Sequence, residues 1–547
     1  MMRRFVVPWL VLAPIAAQTN FPPPPYPAGN PPTMQKELLG MTLFFEEQLS
    51  ATGTVACATC HDLASGGADP RTSLHPNPGA DHSYGTDDDQ FGSPGLAILL
   101  PDGSLLPTPD RGFQPNVTQR RSPTVINTGY HTHLAYDGSR PSLESFVSGP
   151  PLNPVEMGAA GRTWTDVTQK LAAAAPLFFA SNLPPRLQNF VGGHTYAELF
   201  QAAFGSPAIT QQGVVDAIAT YLRTLNSDQS KWDLHLHGQA TLTAQEQAGL
   251  ALWTSPANGA TACATCHGDF DQRVLVEGPI AGQMTQVTTG YYGSTVPTRL
   301  VFHNVGVRPN QEDRGRFNAT QVQGDLGKFR IASLRNVELT APYFHNGSAA
   351  TLQDVIDFYN RGGDYHLNQA PSLLPRGYTQ TEIDALVALL RTLTDPRIAA
   401  GVQPFDRPTL GSQNGRLVTS IGSGTSGAQG ELVAVAPFAP RLGEAGFLFA
   451  IQGVTPGVAT YVMWDVAVAP SPLPFHVQLA MSPAFQLFGT GVASFYWTMS
   501  TGGLQVPMPL PNLPALAGTT LFAQWLALEP SATWPVATSN VLRIPLQ

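Results

Sequence analysis

Cys57-Ala58-Thr59-Cys60-His61 and Cys263-Ala264-Thr265-Cys266-His267 are the same five residues, and together they use all four cysteines of a 547-residue chain. Cys-x-x-Cys-His is the attachment signature of c-type haem. Each thiol adds to one vinyl group of the macrocycle. The two intervening residues match the separation of the vinyls, and the next position places an imidazole under the iron. A redox pair of cysteines or half of a zinc site would leave the histidine of both copies unexplained. The spacing therefore predicts two covalently bound c-type haems, attached at Cys57 and Cys60 and at Cys263 and Cys266, with His61 and His267 as iron ligands.

Composition bounds what surrounds those motifs. Charged residues make up 12% of the chain, which also holds 52 Gly and 50 Pro. That is the profile of a loop-rich globular protein rather than a disordered one. A formal net charge of −9 argues against nucleic acid as a partner. At the start, Arg3 and Arg4 precede an apolar run over residues 5–15 and the small pair Ala16-Ala17, which reads as a signal peptide over residues 1–17. The run is too short to span a bilayer, and no later stretch is apolar for long enough, so no transmembrane segment is expected. A periplasmic or secreted location agrees with the haem motifs.

After the signal, residues 18–33 read as a Pro-rich tether of polyproline character. Residues 34–235 form a first domain. Its helical spacing is clear over 34–47 (Leu38, Leu39, Met41, Leu43, Phe44), 164–175, 196–204 and 211–225 (Val214, Ile218, Tyr221, Leu222, Leu225). Residues 66–116 are polar and rich in Gly, Pro and Asp, and read as loop. Residues 236–400 repeat the plan. A capping box at Thr243 and Glu246 starts a helix carrying Leu250, Leu252 and Trp253, the second motif follows, and 379–393 closes the block as an amphipathic helix. A linker over 401–412 leads to residues 413–547, where charges thin out. Short β-rich runs at 461–468, 476–480, 520–528 and 541–545 stand there between turn residues. His476 reads as an ordinary strand residue. The expected fold is mainly α, two cytochrome-c-like haem domains followed by a C-terminal all-β, sandwich-like domain.

Further motifs accompany the haem signatures: Leu43-Phe44-Phe45, Arg121-Ser122-Pro123-Thr124-Val125-Ile126-Asn127, Asp137-Gly138, Asn153-Pro154-Val155-Glu156-Met157 and Phe302-His303-Asn304. Then come Ser333-Leu334-Arg335-Asn336, Pro342-Tyr343-Phe344-His345-Asn346-Gly347 and Asp357-Phe358-Tyr359-Asn360. In order and spacing this set resembles the bacterial di-haem cytochrome c peroxidases and their MauG-type relatives, over roughly residues 36–393. The resemblance implies that the haem held by His61 reacts with peroxide and the haem held by His267 relays electrons. It matches Glu156 to the distal glutamate, which shuttles a proton between the peroxide oxygens. Tyr359 falls where ordinary members place a methionine ligand and MauG-type members a tyrosine. No methionine occurs between Met284 and Met463, so a methionine on that segment is excluded. A phenolate ligand lowers the potential of the iron, whereas methionine raises it.

The chain also departs from the family pattern. Tyr136 stands where a tryptophan usually lies between the haems, so a relay through it loses a proton with its electron. Tyr136 also reads as a packing aromatic. Arg121 replaces an asparagine that supplies an oxygen to calcium, and a guanidinium cannot ligate a cation. Calcium is left open, with the backbone carbonyls of Thr340 and Pro342 as remaining donors and Arg121 as a replacement charge. Phe146 replaces a distal glutamine and makes the peroxide pocket more apolar. His75 or His82 is placed to cap the first haem. His131, His133, His303 and His345 are assigned no iron.

Three readings follow. The main one is a periplasmic or secreted peroxidase that reduces H2O2 with electrons from a small cytochrome c or cupredoxin. The second is a MauG-like oxidase acting at a distance on a protein or organic substrate. The third is a non-enzymatic di-haem electron carrier.

Overall fold

The structure is a computed structural model that describes residues 21, 23–75, 89–98, 115–131, 133–267 and 302–413, together with backbone strands between 419 and 545. The expected signal peptide, His82 and His476 lie outside the described residues.

Two helix pairs organise the haem-motif halves. In the first, helix Met34–Phe44 starts at Thr33, whose side chain accepts from the Lys36 amide, and crosses helix Gln211–Leu222. The crossing is close because Gly40 lies against the Ala217 carbonyl, where a Cβ would collide with backbone. In the second half, helix Ala244–Thr254 crosses helix Gln380–Arg391, and Gly249 lies in the same way against the Ala385 carbonyl. The expected capping box is present: the Glu246 carboxylate accepts from the Thr243 amide at 2.7 Å, and Thr243 Oγ1 accepts from the Glu246 amide at 3.2 Å. The first helix stops at Phe44, short of the expected 47. There the buried Glu46 turns inward to accept from the Tyr196 hydroxyl at 2.6 Å and the Leu177 amide at 2.7 Å.

The correspondence extends into the loops. Asn127 and Asn336 both adopt left-handed backbone (φ 62° and 60°) and both open a short 3₁₀ turn. Their amides donate to Leu225 and Leu393, each just past the closing helix of its own half. Further on, Ala135 and Phe344 both take positive φ (63° and 66°), inside matching bridges between Leu134 and Arg140 and between Tyr343 and Ala349. This backbone register puts Tyr136 and His345 at equivalent positions.

Each half has its own core. Leu39, Phe44, Leu187, Phe200 and Tyr221 centre the first, and Trp232, Trp253, Leu386 and Leu389 the second. Helix Lys231–Leu236 delivers Trp232 to the second core, and the boundary expected at 235/236 falls inside that helix.

Three expectations need correction. The stretch read as loop contains two strand pairs, Ser73–Leu74 with Phe91–Gly92 and Pro94–Ala97 with Pro115–Val117. They are too short to show alternation, and contacts distant in sequence hold them. The Pro-rich tether is docked rather than free. Phe21 packs edge-on against Tyr130, with ring centroids 6.1 Å apart, beneath the Arg335 guanidinium at 4.5 Å. Arg223 covers Tyr26 and donates to the Pro25 carbonyl at 3.0 Å. Residues 401–412 are likewise packed: Phe405 and Leu410 are buried in the first core, and Glu47 accepts the amides of Gly411 and Ser412.

Beyond residue 413 the described strands are antiparallel. Five run in the order Phe495–Trp497, Ala459–Asp465, Thr520–Ala527, Val541–Pro545 and Thr419–Ile421, and Ala537–Thr538 adds to Thr520–Ala527. A second sheet orders Val433–Val435, Phe447–Gln452 and Leu504–Met508. Three of the four predicted strand runs recur nearly in place, and of 476–480 the described residues, Gln478–Leu479, are strand. Among the described residues no helix is long and apolar enough to cross a membrane.

Candidate haem sites

The first motif forms the short helix Cys57–Cys60, held where the Thr59 side chain accepts from the Ala56 amide at 2.8 Å. His61 follows, and its Nδ1 lies 2.9 Å from the Pro123 carbonyl. A carbonyl accepts, so Nδ1 carries the proton and Nε2 keeps its lone pair for a metal. Burial also lowers the His61 pKa, which favours the neutral ligand form. Both thiols are pushed up to about 12, chiefly by burial, and the Glu156 carboxylate adds to the shift at both. Glu156 is therefore within electrostatic reach of the first attachment site.

Local structure fixes that carboxylate. The Asn153 side chain accepts from the Val155 amide and its carbonyl from the Met157 amide, both at 3.1 Å, so the Asn-Pro-Val-Glu-Met run is a closed turn. Strand Pro94–Ala97 then clasps it: the Leu96 amide donates to the Glu156 carbonyl at 3.1 Å, and Gly95 lies against the Val155 carbonyl. Burial raises the Glu156 pKa, and Asn153 and Arg140 offset part of the rise. The carboxyl is poised between acid and base at higher pH than an exposed one.

The second motif forms helix Ala264–His267. The His267 ring donates to the Ala332 carbonyl, as His61 does to Pro123, and burial holds its pKa down at about 4. Trp253 packs against the imidazole with centroids 5.9 Å apart. Around the motif is a cavity of about 270 Å³, where about 10–15 Å³ seats one water. Tyr359 lines it from helix Leu352–Arg361, a helix with a Thr351 cap and a left-handed Gly362 terminus. Burial raises the Tyr359 pKa, the two thiols add to it and Arg376 opposes it. Tyr136 reaches the same cavity from the first half.

A model of the family described as di-haem cytochrome c peroxidase matches residues 34–241. The cytochrome-c peroxidase IdrP1 of Denitromonas iodatirespirans is 30% identical over 410 residues, covering 70% of this chain and 90% of that one. The chain belongs to the di-haem cytochrome c peroxidase family. The methylamine utilization protein MauG of Methylorubrum extorquens is 28% identical over 372 residues, covering 68% of this chain and 81% of its own. Among solved structures, a MauG-like protein associated with microbial copper homeostasis superimposes with a TM-score of 0.51 at 27% identity, over 71% of this chain and 96% of that one.

Family membership implies two c-type haems, and the second cavity suits one. Haem combines an apolar ring with two carboxylates. The cavity has apolar walls such as Ile356, Leu386 and Leu390, and arginines at 121, 330, 335 and 376. No Asp or Glu is among its described lining residues. Nε and Nη1 of Arg376 and Nε of Arg335 are buried donors without a partner among the described residues, as expected where an anionic group belongs.

The sequence reading put Glu156 with the first motif, Tyr359 with the second and Tyr136 between them; Glu156 lies within electrostatic reach of the first thiols, and Tyr136 and Tyr359 both line the cavity at the second motif. The structure also brings His131, His303 and His345 to the second cavity, although no role had been drawn for them. The arginines were missed as a set because they are scattered singly through the chain. Phe146 packs against the first core. The His75 amide donates to the Gln90 carbonyl at 2.7 Å within the first strand pair. At the expected calcium position Arg121 is buried, its Nε donating to the Asp69 carbonyl at 2.9 Å and Nη2 to the Ala341 carbonyl at 3.4 Å. No group of three metal-binding side chains occurs among the described residues.

Proposed function

We propose that this chain is a periplasmic or secreted peroxidase that reduces H2O2 to water at the first haem, held by Cys57, Cys60 and His61. Electrons come from a small cytochrome c or cupredoxin through the second, held by Cys263, Cys266 and His267 with Tyr359 as the further ligand. The observation that carries this reading is Glu156: a clasped, half-buried carboxyl of raised pKa within electrostatic reach of the first pair of thiols, with no counterpart among the described residues lining the second cavity. When bound, the haems supply the iron that accepts peroxide and the store of electrons. Glu156 takes the proton from the near peroxide oxygen and returns it to the leaving oxygen. Two electrons and two further protons complete two waters. Residues 34–235 serve as the peroxidatic domain, 236–400 as the electron-transfer domain and 413–547 as a β-sandwich. Arg121 supplies the charge that calcium supplies elsewhere in the family.

The test is peroxide-dependent oxidation of reduced cytochrome c by the haem-loaded protein. Turnover in wild type and its loss in Glu156→Ala are expected, and full turnover in that variant would sink the mechanism. Tyr359 in the second cavity favours a second reading, MauG-like oxidation of a protein or organic molecule at a distance. In that case peroxide changes the spectra of both haems together without a donor, whereas in the main reading a protein or porphyrin radical accompanies the first haem.

A further inference from the structure

Arg71 and Arg376 each act on the cysteines of one motif, and only Arg71 has a counter-ion among the described residues. At the first motif, Arg71 Nη2 lies 3.5 Å from Cys60 Sγ. Asp69 answers its charge, with a carboxylate that accepts from Arg71 Nε at 2.9 Å and from Nη2 at 3.0 Å. The Arg71 side chain is also 41% exposed, so solvent screens what remains. Arg376 differs on each count. It is 5% exposed, lines the second cavity, and has Nε and Nη1 without a partner among the described residues. No carboxylate lines that cavity among the described residues. A guanidinium does not lose its proton in a protein, so a whole positive charge is buried there.

The fold clamps that charge onto the helix of Tyr359. The Arg376 amide donates to the Asn360 carbonyl at 2.9 Å. The Asn360 side chain brackets Tyr378, accepting from its amide at 2.7 Å and donating to its carbonyl at 3.0 Å. Asn258 donates to the Arg376 carbonyl from the other side. Gly362, which ends the helix, lies against Pro375, where a Cβ would come within 2.9 Å of the proline nitrogen. Haem chemistry then sorts the arginines of the cavity. The two vinyl groups that become thioethers lie on one edge of the macrocycle, and the two carboxylates lie on the opposite edge. Arg376 is the cavity arginine whose charge acts on both motif thiols and on Tyr359. It belongs to the thioether edge, where neither haem carboxylate projects to neutralise it.

We propose that the buried Arg376 guanidinium sets the reduction potential of the second haem, raising it against the pull of the Tyr359 ligand and so keeping that haem reducible by its donor. Reduction adds one electron and lowers the charge of the site by one. A fixed cation nearby stabilises the reduced form, whereas a phenolate ligand stabilises the oxidised one. At the first haem Asp69 offsets the corresponding charge. The ligand reading of Tyr359 gives the device its purpose, while the direction of the shift needs only the haem and the charge.

The experiment is spectroelectrochemistry of the full-length, haem-loaded protein, which reads both midpoint potentials without peroxide turnover. Arg376→Gln is expected to lower the potential of the second haem and leave the first unchanged. Arg376→Lys, which keeps the charge, is expected to keep most of the wild-type value. Arg376→Leu removes the charge without leaving a buried polar group and is expected to match Arg376→Gln, so the test stands even where the glutamine variant does not fold. An unshifted second haem in either neutral variant would overturn the proposal, as would a lysine variant that drops as far as they do. Tyr359→Met in the same cell separates the two readings. If it leaves the second potential unchanged, the ligand reading of Tyr359 falls, and a lowering in Arg376→Gln still supports the role of Arg376.

Discussion

The two halves share a scaffold down to the glycine at each helix crossing, and they differ in what they hang on it. Gly40 over Ala217 and Gly249 over Ala385 set the same close helix pair. Asn127 and Asn336 turn the chain in the same way, and a backbone carbonyl orients the imidazole of each motif. Yet Glu156 has reach over the first pair of thiols, whereas the second cavity has Tyr359, unpartnered arginine donors and no lining carboxylate among the described residues. At the equivalent positions after the positive-φ residue, one half has Tyr136 and the other His345. The shared part needs backbone close approach and turn geometry, which tolerate little substitution. The differing part is side-chain chemistry projected from that frame, so one duplicated scaffold can hold two unlike irons.

The strongest way to break the asymmetry is to remove its carboxyl. Glu156→Gln is expected to lower kcat by about 10²–10⁴-fold with both haems still attached, measured as peroxide-dependent donor oxidation beside the absorption spectrum. The same residue sets a pH limb. The base must be ionised and its folded pKa lies above the usual 4.5, so kcat/KM is expected to fall as pH drops through a value higher than 4.5. A limb centred at or below 4.5 would place the controlling group elsewhere.

Exchanging the proposed ligand of the second site sharpens the contrast from the other side. Tyr359→Met is expected to raise the reduction potential of the second haem alone, read by spectroelectrochemistry, and an unchanged potential would remove Tyr359 from the iron. The scaffold can be tested symmetrically. Gly40→Ala and Gly249→Ala each drive a methyl into backbone, with an expected cost of about 1–3 kcal/mol, and thermal unfolding should show comparable losses for the two. The smallest effect concerns the cation. With Arg121 in its place, prolonged chelation of calcium is expected to leave activity and Tm unchanged, and a large loss would restore calcium to the site.

Much of the site was legible because covalent chemistry dictates it. The two cysteine motifs, the helices flanking them and the capping box at Thr243 are short-range patterns, and each appears in the structure where the residues implied. The strand pairs inside 66–116 were not legible, since two- to four-residue strands carry no period and exist because the Glu156 turn and distant loops pair with them. The Pro-rich segment was misread for a related reason. Its composition suggests a free tether, but Phe21, Tyr26 and Asn30 find partners at Tyr130, Arg223 and Asp216 that lie far along the chain.

The sequence by itself determined that two Cys-x-x-Cys-His motifs of the haem-attaching kind stand in the chain, and that no methionine on the segment of Tyr359 is available as a ligand. Those facts follow from residue identity and local spacing. Only the tertiary structure decided that Tyr136 and His345 pack against each other, that the Arg121 amide donates to the His345 carbonyl, and that scattered arginines line one cavity free of described carboxylates. Such groupings depend on where separate turns and helices close together in space, and side-chain electrostatics acts through that distance rather than along the chain.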